Sequence, residues 1–552
     1  MRTLARRLAP LLILLLILLL ALLAFAPGLD QLPVTDRDEA RYAQASRQMA
    51  ESGDWIDIRF QEEPRHKKPA GIYWAQAAAL RAAGPDHAGD IWVYRLPSLA
   101  AAVLACLALG WAGRPLVGGP AAWLAGAMAA ALFLLQVEAR IAKTDAALHL
   151  ATILAMGALA RAWLGQVRGW GVPAIFWTAL AAGLLIKGPL VLPPILGAIL
   201  TVALFTRRLR WLGALRPLPG LAWALLLALP WYVAILWVSE GQFLAASLGT
   251  DLSAKIAGGQ ESHGAPPGSY LLAFWLTFWP WTVLAPLAAA LAWQRRRSPE
   301  MLFLLGWAVP GWLLLEAVPT KLLHYPLPLY PALLLIAGAA AMALLRGERR
   351  FAGIAGWAGA AGWLPGALIL AGACIALPMA AGDGAAPATI AGALTALALG
   401  MAGLVWLFRA RTATGLAATG LSALVMVWTL VAVALPRATD LWVSPRLAQA
   451  TAQHACLRGP AIVVGYPEPS AVFHLGRHTQ MVDAQQALDI LAQSPGRFAW
   501  IELSKLPDGG ADLPPGQPGV TQVSGFNYSR GKPVTLRLFT APGRPAALPV
   551  CP

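Results

Sequence analysis

Residues 36–68 read DRDEARYAQASRQMAESGDWIDIRFQEEPRHKK, directly after an almost pure Leu/Ala segment, in a chain that is only 12% charged. Asp36, Asp38, Glu39, Arg41, Tyr42, Lys67 and Lys68 bring carboxylates, cations and a phenol together. That mixture suits phosphate chemistry. Lys and Arg hold a phosphate through charge-assisted hydrogen bonds. A carboxylate orients or deprotonates an incoming nucleophile. The chain has no Walker loop, no GxGxxG before a strand–helix unit, no HExxH and no CxxC. A nucleotide-driven pump or a zinc hydrolase therefore has no support.

Further polar groups punctuate the apolar sequence. Arg140, Lys143 and Asp145 lie between two apolar runs, and Lys187 stands in LLIKGPLVLPP. Lys255 and His263 lie in a long loop, and Lys321, His324 and Tyr325 precede another run. Ionisable groups at a membrane boundary are costly and so point to function. The alternative for each is an ordinary loop charge, with lysine snorkelling to the interface. The eight His residues lack metal-ligand spacing, and His149, inside an apolar run, reads as a hydrogen-bonded core residue.

What must position these groups is a membrane bundle. The chain is 58% hydrophobic with a mean hydropathy of +0.60. Its apolar runs are long enough to cross about 30 Å of hydrocarbon. They are continuous rather than alternating, which favours helices over a barrel. About thirteen spans are expected, near 8–26, 92–113, 120–138, 144–164, 172–187, 189–206, 219–238, 269–293, 301–318, 325–345, 353–379, 388–408 and 414–436. The net charge of +15 sits in clusters such as Arg207–Arg210, Arg295–Arg297 and Arg346–Arg350. With the N-terminus inside, all of them fall on one side, the positive-inside pattern. Nucleic acid is not an expected partner. The N-terminal run ends in Ala24-Phe25-Ala26, an A-x-A pattern. The run is long for a signal sequence and Pro27 follows it, so an uncleaved first helix is the expectation.

Three segments fall outside: 27–91, 239–268 and the tail 437–552. In the first, PAGIYWAQAAALRAAG reads as an interfacial helix with Tyr73 and Trp74 at headgroup level. In the tail, AIVVGY, SAVFHLG, FAWIELSKL and VTLRLF read as strands and DAQQALDILAQS as a helix, giving a small α/β domain. Cys106 and Cys374 lie in apolar runs and are expected to be inert. Cys456 and Cys551 lie in the outside tail, where an oxidising compartment permits a disulfide.

TDRDEARYAQASRQMAESGDW followed by KKPAGIYW resembles the first outside loop of the lipid A aminoarabinose transferases, and more broadly is similar to the GT-C glycosyltransferases related to protein O-mannosyltransferases. The shared features are Asp38-Glu39, Arg41-Tyr42, Gly53-Asp54-Trp55 and Lys68-Pro69. They continue with Asp145 in ARIAKTDAAL, Lys187 in LLIKGPL, Pro230-Trp231-Tyr232, His263 in ESHGAPPGSYL, and Lys321, His324, Tyr325 and Tyr330 in TKLLHYPLPLYP. The resemblance implies an all-α polytopic GT-C fold of about thirteen membrane helices (residues 1–436) with a C-terminal domain outside the membrane (437–552). It also implies transfer of an aminoarabinose-like pentose from a polyprenyl-phosphate donor to lipid A or a related acceptor, with inversion, in a bacterial inner membrane. Asp38, with Glu39, maps to the catalytic carboxylate, and Lys68 to the donor phosphate. Lys255, Lys187 and Arg140 are the further phosphate candidates. Arg41, Tyr42, Asp145, His263, Lys321, His324 and Tyr325 are the substrate-binding candidates. No obligatory metal is expected, although a carboxylate-bound divalent ion is left open, and the enzyme is expected to be a monomer.

The family pattern is broken at two places. Its second loop carries Glu-His-x-x-Arg-Phe where this chain has Asp251-Leu-Ser-Ala-Lys255-Ile, and its acid before Lys-Pro is Lys67 here. An O-mannosyltransferase-like enzyme with a hydroxyl acceptor is the alternative in the same class. A lipid-linked-substrate transporter would need paired halves and polar groups at the midplane. A non-catalytic scaffold leaves the charged island unexplained.

Overall fold

The computed structural model describes residues 2–252, 264–453, 459–494, 497–506 and 521–540. Each expected span falls on a helix or a helix pair. The first ten helices are α1 (Arg2–Phe25), α2 (Asp38–Ser52), α3 (Gly71–Ala83), α4 (Ile91–Val117), α5 (Gly119–Ala131), α6 (Phe133–Glu138), α7 (Asp145–Trp163), α8 (Gly171–Lys187), α9 (Leu192–Thr206) and α10 (Pro217–Val238). Later spans include Pro299–Ala317, Leu327–Leu345, Gly353–Ala381, Pro387–Phe408 and Thr412–Arg437. Among the described residues, nine stretches are long and apolar enough to cross a membrane, or ten with one bent pair. The chain is a multi-pass membrane protein.

The tract Gly171–Thr206 is apolar over 36 residues, and as one straight helix it would run about 54 Å, far beyond the hydrocarbon core. It is two traversals. Its middle residue, Lys187, contacts Asp145 at the start of α7. Both outer ends return to the far end of α7: Trp177 Nε1 donates to Leu215 O, and Trp211 packs edge-on against Trp163 at 5.6 Å. Gly188 makes the reversal, with φ 64° and ψ −140°, a region a side chain rarely adopts.

Two spans are broken where one continuous helix each was expected. Leu132 is extended between α5 and α6. Ser269–Thr277 and Trp281–Arg295 meet at 112°. The breaks face each other, and Phe133 N donates to Trp279 O at 2.9 Å. Irregular backbone inside lipid survives only when its polar groups are satisfied by protein, as this pair does.

The first loop packs as a small body on the bundle. Gly53 caps α2 in the left-handed region (φ 74°), and Asp54 Oδ1 accepts from the amides of Ile56 and Asp57. Trp55 O accepts from Trp74 Nε1. Gly-Asp-Trp is therefore a turn that folds α3 back on α2. The expectation for Tyr73 fails. It is fully buried, its ring is 5.1 Å from Tyr42, and its hydroxyl accepts from Arg65. The interior of the loop outcompeted the headgroup layer for it.

The tail carries a five-stranded sheet in the order β4-β3-β5-β7-β6. Its strands are β3 (Ile462–Val464), β4 (Gln480–Met481), β5 (Phe498–Glu502), β6 (Gln522–Asn527) and β7 (Lys532–Thr540); β1 (Arg59–Phe60) and β2 (Glu63–Pro64) form a hairpin in the first loop. The segment SAVFHLG is helical, Pro469–Leu475, rather than a strand. A short apolar run does not declare its period; here Pro469 opens the helix, and Phe473 packs edge-on against Tyr94 of the bundle. Cys106 and Cys374 are buried free thiols. Cys456 and Cys551 lie outside the described residues.

One ion pair fixes the loop to the membrane helices. Arg95 of α4 and Glu39 of α2 are both sealed from solvent, and they meet through Nε–Oε1 at 2.8 Å and Nη2–Oε2 at 2.9 Å. The remaining guanidinium hydrogens go to the carbonyls of Leu29, Leu32 and Pro33. Glu39 also accepts from Thr35 N, Thr35 Oγ1 and Ala142 N. Burial alone would raise this carboxyl; Arg95 and the two amides outweigh it and hold it below the ordinary range. The stabilisation is thus complete above the ordinary carboxylate pKa and is lost as pH falls through the lower folded value. Glu39→Gln strands a buried cation and should cost about 3–5 kcal/mol at neutral pH. Thermal unfolding in detergent should show a lower midpoint than wild type at pH 7 and a smaller gap in acid.

Candidate active site

At the end of the bundle that carries the first loop lies a polar cavity of about 420 Å³. Outside the tail, five parts of the chain build it. The start of α2 supplies Asp38, Arg41 and Tyr42, and the segment before α3 supplies Arg65, Lys67 and Lys68. The α6–α7 connection supplies Lys143 and Asp145, with Lys187 from the end of α8. His324 and Tyr325 come from the segment before Leu327–Leu345.

Asp38 faces the open cavity, but protein surrounds it. Burial would raise its carboxyl; Lys143 first, then Arg65 and Arg41, outweigh burial and hold it below the ordinary carboxylate range. It is an anion at any physiological pH. In the same cavity, Lys187 Nζ donates to Asp145 Oδ1 at 2.6 Å, and Lys143 Nζ lies 3.0 Å from Glu138 Oε1 and 3.9 Å from Asp145 Oδ2. Lys143 Nζ also donates to His324 Nδ1 at 3.2 Å. His324 therefore carries its proton on Nε2, which points toward Asp145 Oδ1 at 3.7 Å. Burial first, then the two lysines, pushes His324 down to about 3 against the pull of Asp145. Tyr325 lies under Lys187, whose Nζ is 5.6 Å from the ring centre.

A second, apolar chamber of about 220 Å³ adjoins the first. Leu148, Pro189, Pro193, Leu314, Val318 and Leu329 supply its apolar wall. Both chambers are bounded by Lys67, Lys68, Asp145, Lys187, Leu190 and Tyr325. Cations thus gather at the seam between a polar space and a greasy one.

Three expected residues are placed elsewhere. Arg140 is 1% exposed, with its donors turned to the carbonyls of Pro27, Gln136 and Ala24, so it ties α1 to α6 and does not reach the cavity. Lys321 caps the helix Pro299–Ala317 by donating to Leu315 O, Glu316 O and Val318 O, the usual use of a cation at a helix C-terminus. Glu39 touches the cavity wall, but the pair with Arg95 occupies its carboxylate. Lys255 and His263 lie outside the described residues. His149 is a core residue as expected, with Nδ1 donating to Leu327 O at 3.0 Å.

Several cavity residues had no place among the expected site residues. Lys143 was visible as a boundary charge and Arg65 as part of the island, yet nothing in their spacing marked them out. Arg65 is buried, stacks over Tyr42 at 5.3 Å and donates to Tyr73. Tyr528 and Ser529 of the tail also line the cavity, and no sequence signal pointed to them. Among the described residues, no three His, Cys, Asp or Glu side chains are grouped to hold a metal ion.

The family model described as dolichyl-phosphate-mannose-protein mannosyltransferase matches residues 7–243. The undecaprenyl phosphate-alpha-4-amino-4-deoxy-L-arabinose arabinosyl transferase of Aeromonas salmonicida is 30% identical over 347 residues, 61% of each chain. The protein of the same name from Pseudomonas aeruginosa is 31% identical over 316 residues, 56% of each. The chain thus spans about three fifths of the length of the curated relatives it matches. In fold the match is longer. The crystal structures of ArnT from Cupriavidus metallidurans, in the apo state and bound to undecaprenyl phosphate, each align with a TM-score of 0.73 at 19% identity. The apo alignment covers 95% of this chain and 97% of that one. The chain is thus similar in sequence to the aminoarabinosyl transferases over about three fifths of its length and to the mannosyltransferase model over residues 7–243, and it shares its fold with ArnT.

Proposed function

We propose that the protein transfers a sugar, an aminoarabinose-like pentose by its relatives' names, from a polyprenyl-phosphate donor to an anionic acceptor such as lipid A. The observation that carries this reading is the pair of joined chambers. A polyprenyl-phosphate sugar has a polar head, an anionic phosphate and an apolar tail in that order. The polar cavity, the lysine seam and the apolar chamber offer the same order. Lys68, with Lys67 and Lys187, holds the phosphate. Arg41, Tyr42 and Tyr325 contact the head or the acceptor.

The chemistry follows from the charges. The acceptor oxygen attacks the anomeric carbon as the bond from that carbon to the phosphate oxygen breaks. The leaving polyprenyl phosphate takes the electron pair and gains a negative charge beside the lysines, which stabilise it more than they stabilise the intact donor. Asp38 lines the same cavity, where it orients the acceptor and stabilises the positive charge that develops on the sugar. One displacement inverts the anomeric centre. A phosphate acceptor needs no base; a hydroxyl acceptor would hand its proton to Asp38. The match to the mannosyltransferase model favours that hydroxyl acceptor as the second reading. Mass spectrometry of lipid A and of secreted protein from matched knockout cells separates the two. The setting is the bacterial inner membrane, with a cytoplasmic N-terminus and a periplasmic active site and tail. The enzyme acts as a monomer.

Asp38→Asn should abolish transfer while leaving a folded protein by size-exclusion chromatography; a near-normal rate sinks the assignment. Lys68→Met removes a charge-assisted contact of about 1.5–3 kcal/mol and should raise the donor KM roughly 10- to 100-fold. Because His324 is held neutral down to about 3, the rate profile between pH 5 and 8 should carry no inflection that His324→Gln removes.

A further inference from the structure

We infer that the β6–β7 turn of the tail domain is a working part of the active site, and that Tyr528 and Ser529 position Asp38 by holding the two residues before it. The inference rests on the proposed role of Asp38. Asp38 is the first residue of α2, and the helix has no side-chain cap. The residue ahead of it, Arg37, has φ 65° and ψ −89°. A non-glycine residue in such a conformation costs about 1–3 kcal/mol and persists only where its surroundings impose it.

Those surroundings are the tail domain. Asp36 N donates to Tyr528 Oη at 2.5 Å, and Asp36 Oδ1 accepts from Ser470 N at 3.1 Å. Arg37 Nη2 donates to Ser529 O at 2.9 Å. The partners are 434 to 492 residues apart in sequence. The turn is itself braced. Arg530 N donates to Asn527 Oδ1, and buried Glu468 accepts from Asn527 Nδ2 at 2.9 Å and Arg530 Nε at 3.2 Å. Behind Ser470, its hydroxyl and that of Ser444 meet at 2.5 Å, with Tyr466 Oη 3.3 Å from Ser444. This linked set of groups ends on the strained residue that aims Asp38.

The tail domain thus does more than cover the site. A rigid turn fixes the backbone direction at Asp36–Arg37, and α2 starts from that direction. Tyr528 and Ser529 also form part of the same cavity wall. Without the Tyr528 hydroxyl, Arg37 can relax and Asp38 shifts, although the donor lysines stay where they are.

The test is Tyr528→Phe in the full-length protein, assayed in proteoliposomes with a polyprenyl-phosphate sugar donor and purified lipid A. Misplacing a reacting group by about 1 Å costs up to about 100-fold, so kcat should fall roughly 10- to 100-fold with the donor KM within about twofold of wild type. Arg37→Met breaks the neighbouring contact from the other partner and should act in the same direction, with Arg37→Lys recovering part of the loss. Arg37→Met also serves should Tyr528→Phe fail to fold. A kcat within about twofold of wild type in folded variants overturns the inference, as does a rise in KM without loss of kcat. Absence of transfer by the wild-type protein in the same assay would instead count against the proposed function.

Discussion

The site depends on the buried contact between Arg95 and Glu39. The charged island is short and mostly polar, with a few apolar side chains such as Tyr42, Met49 and Ile58 packed with Trp231 and Ile235 of α10. The pair gives α2 one fixed attachment to α4, with the carbonyls of Leu29, Leu32 and Pro33 taking the remaining guanidinium hydrogens. A buried ion pair adds little net stability over a hydrophobic replacement, but breaking one partner is expensive. What it supplies is register. Because Glu39 is locked, Asp38, one residue earlier, is directed away from the packed interface and toward the cavity. The adjacent acids therefore divide the work: one anchors and its neighbour is exposed to chemistry.

The second constraint is charge balance around the cavity. Lys143 and Lys187 are both drawn to carboxylates, Glu138 at 3.0 Å and Asp145 at 2.6 Å. His324 sits among them and stays neutral because a further cation would be too costly there. The result is two cations of fixed geometry at the polar cavity, one of which, Lys187, also borders the apolar chamber. Such preorganised charge needs little rearrangement when a phosphate gains charge. The break at Gly188 matters here, since it ends α8 at Lys187 and so puts the ammonium at the mouth of the apolar chamber rather than along a lipid-facing helix.

Much of this was legible in the sequence because hydrophobic length and basic clustering follow directly from the membrane. The spans, the island, Asp38 and Lys187 all announce themselves as departures from an apolar background. What was not legible depended on side-chain competition in three dimensions. Arg140 and Lys321 look like free cations in sequence, yet each is captured by nearby carbonyls. Tyr73 has the composition of a headgroup anchor but is enclosed by Tyr42 and Arg65. The helix at Pro469–Leu475 escaped because seven residues hold too few turns to reveal a period. The breaks at Leu132 and before Trp281 escaped for a different reason: hydropathy reports whether a segment is apolar, not whether its backbone is straight.

The contribution of the tail was the least accessible, and the reason is physical. A contact between Asp36 and Tyr528 joins two segments that lie on opposite sides of the entire membrane bundle in sequence. Neither residue is unusual locally; a tyrosine in a β-turn and an aspartate at a helix start are both ordinary. Their importance comes from the strained Arg37 between the contact and Asp38. Strain of this kind needs an external support, and at Asp36 and Arg37 the tail supplies contacts through Tyr528, Ser470 and Ser529. A soluble domain folded over the loop can supply it. That arrangement accounts for a cavity carboxylate at the first residue of an uncapped helix: Glu39 fixes its direction from within the helix, and a part of the chain made hundreds of residues later braces the two residues before it.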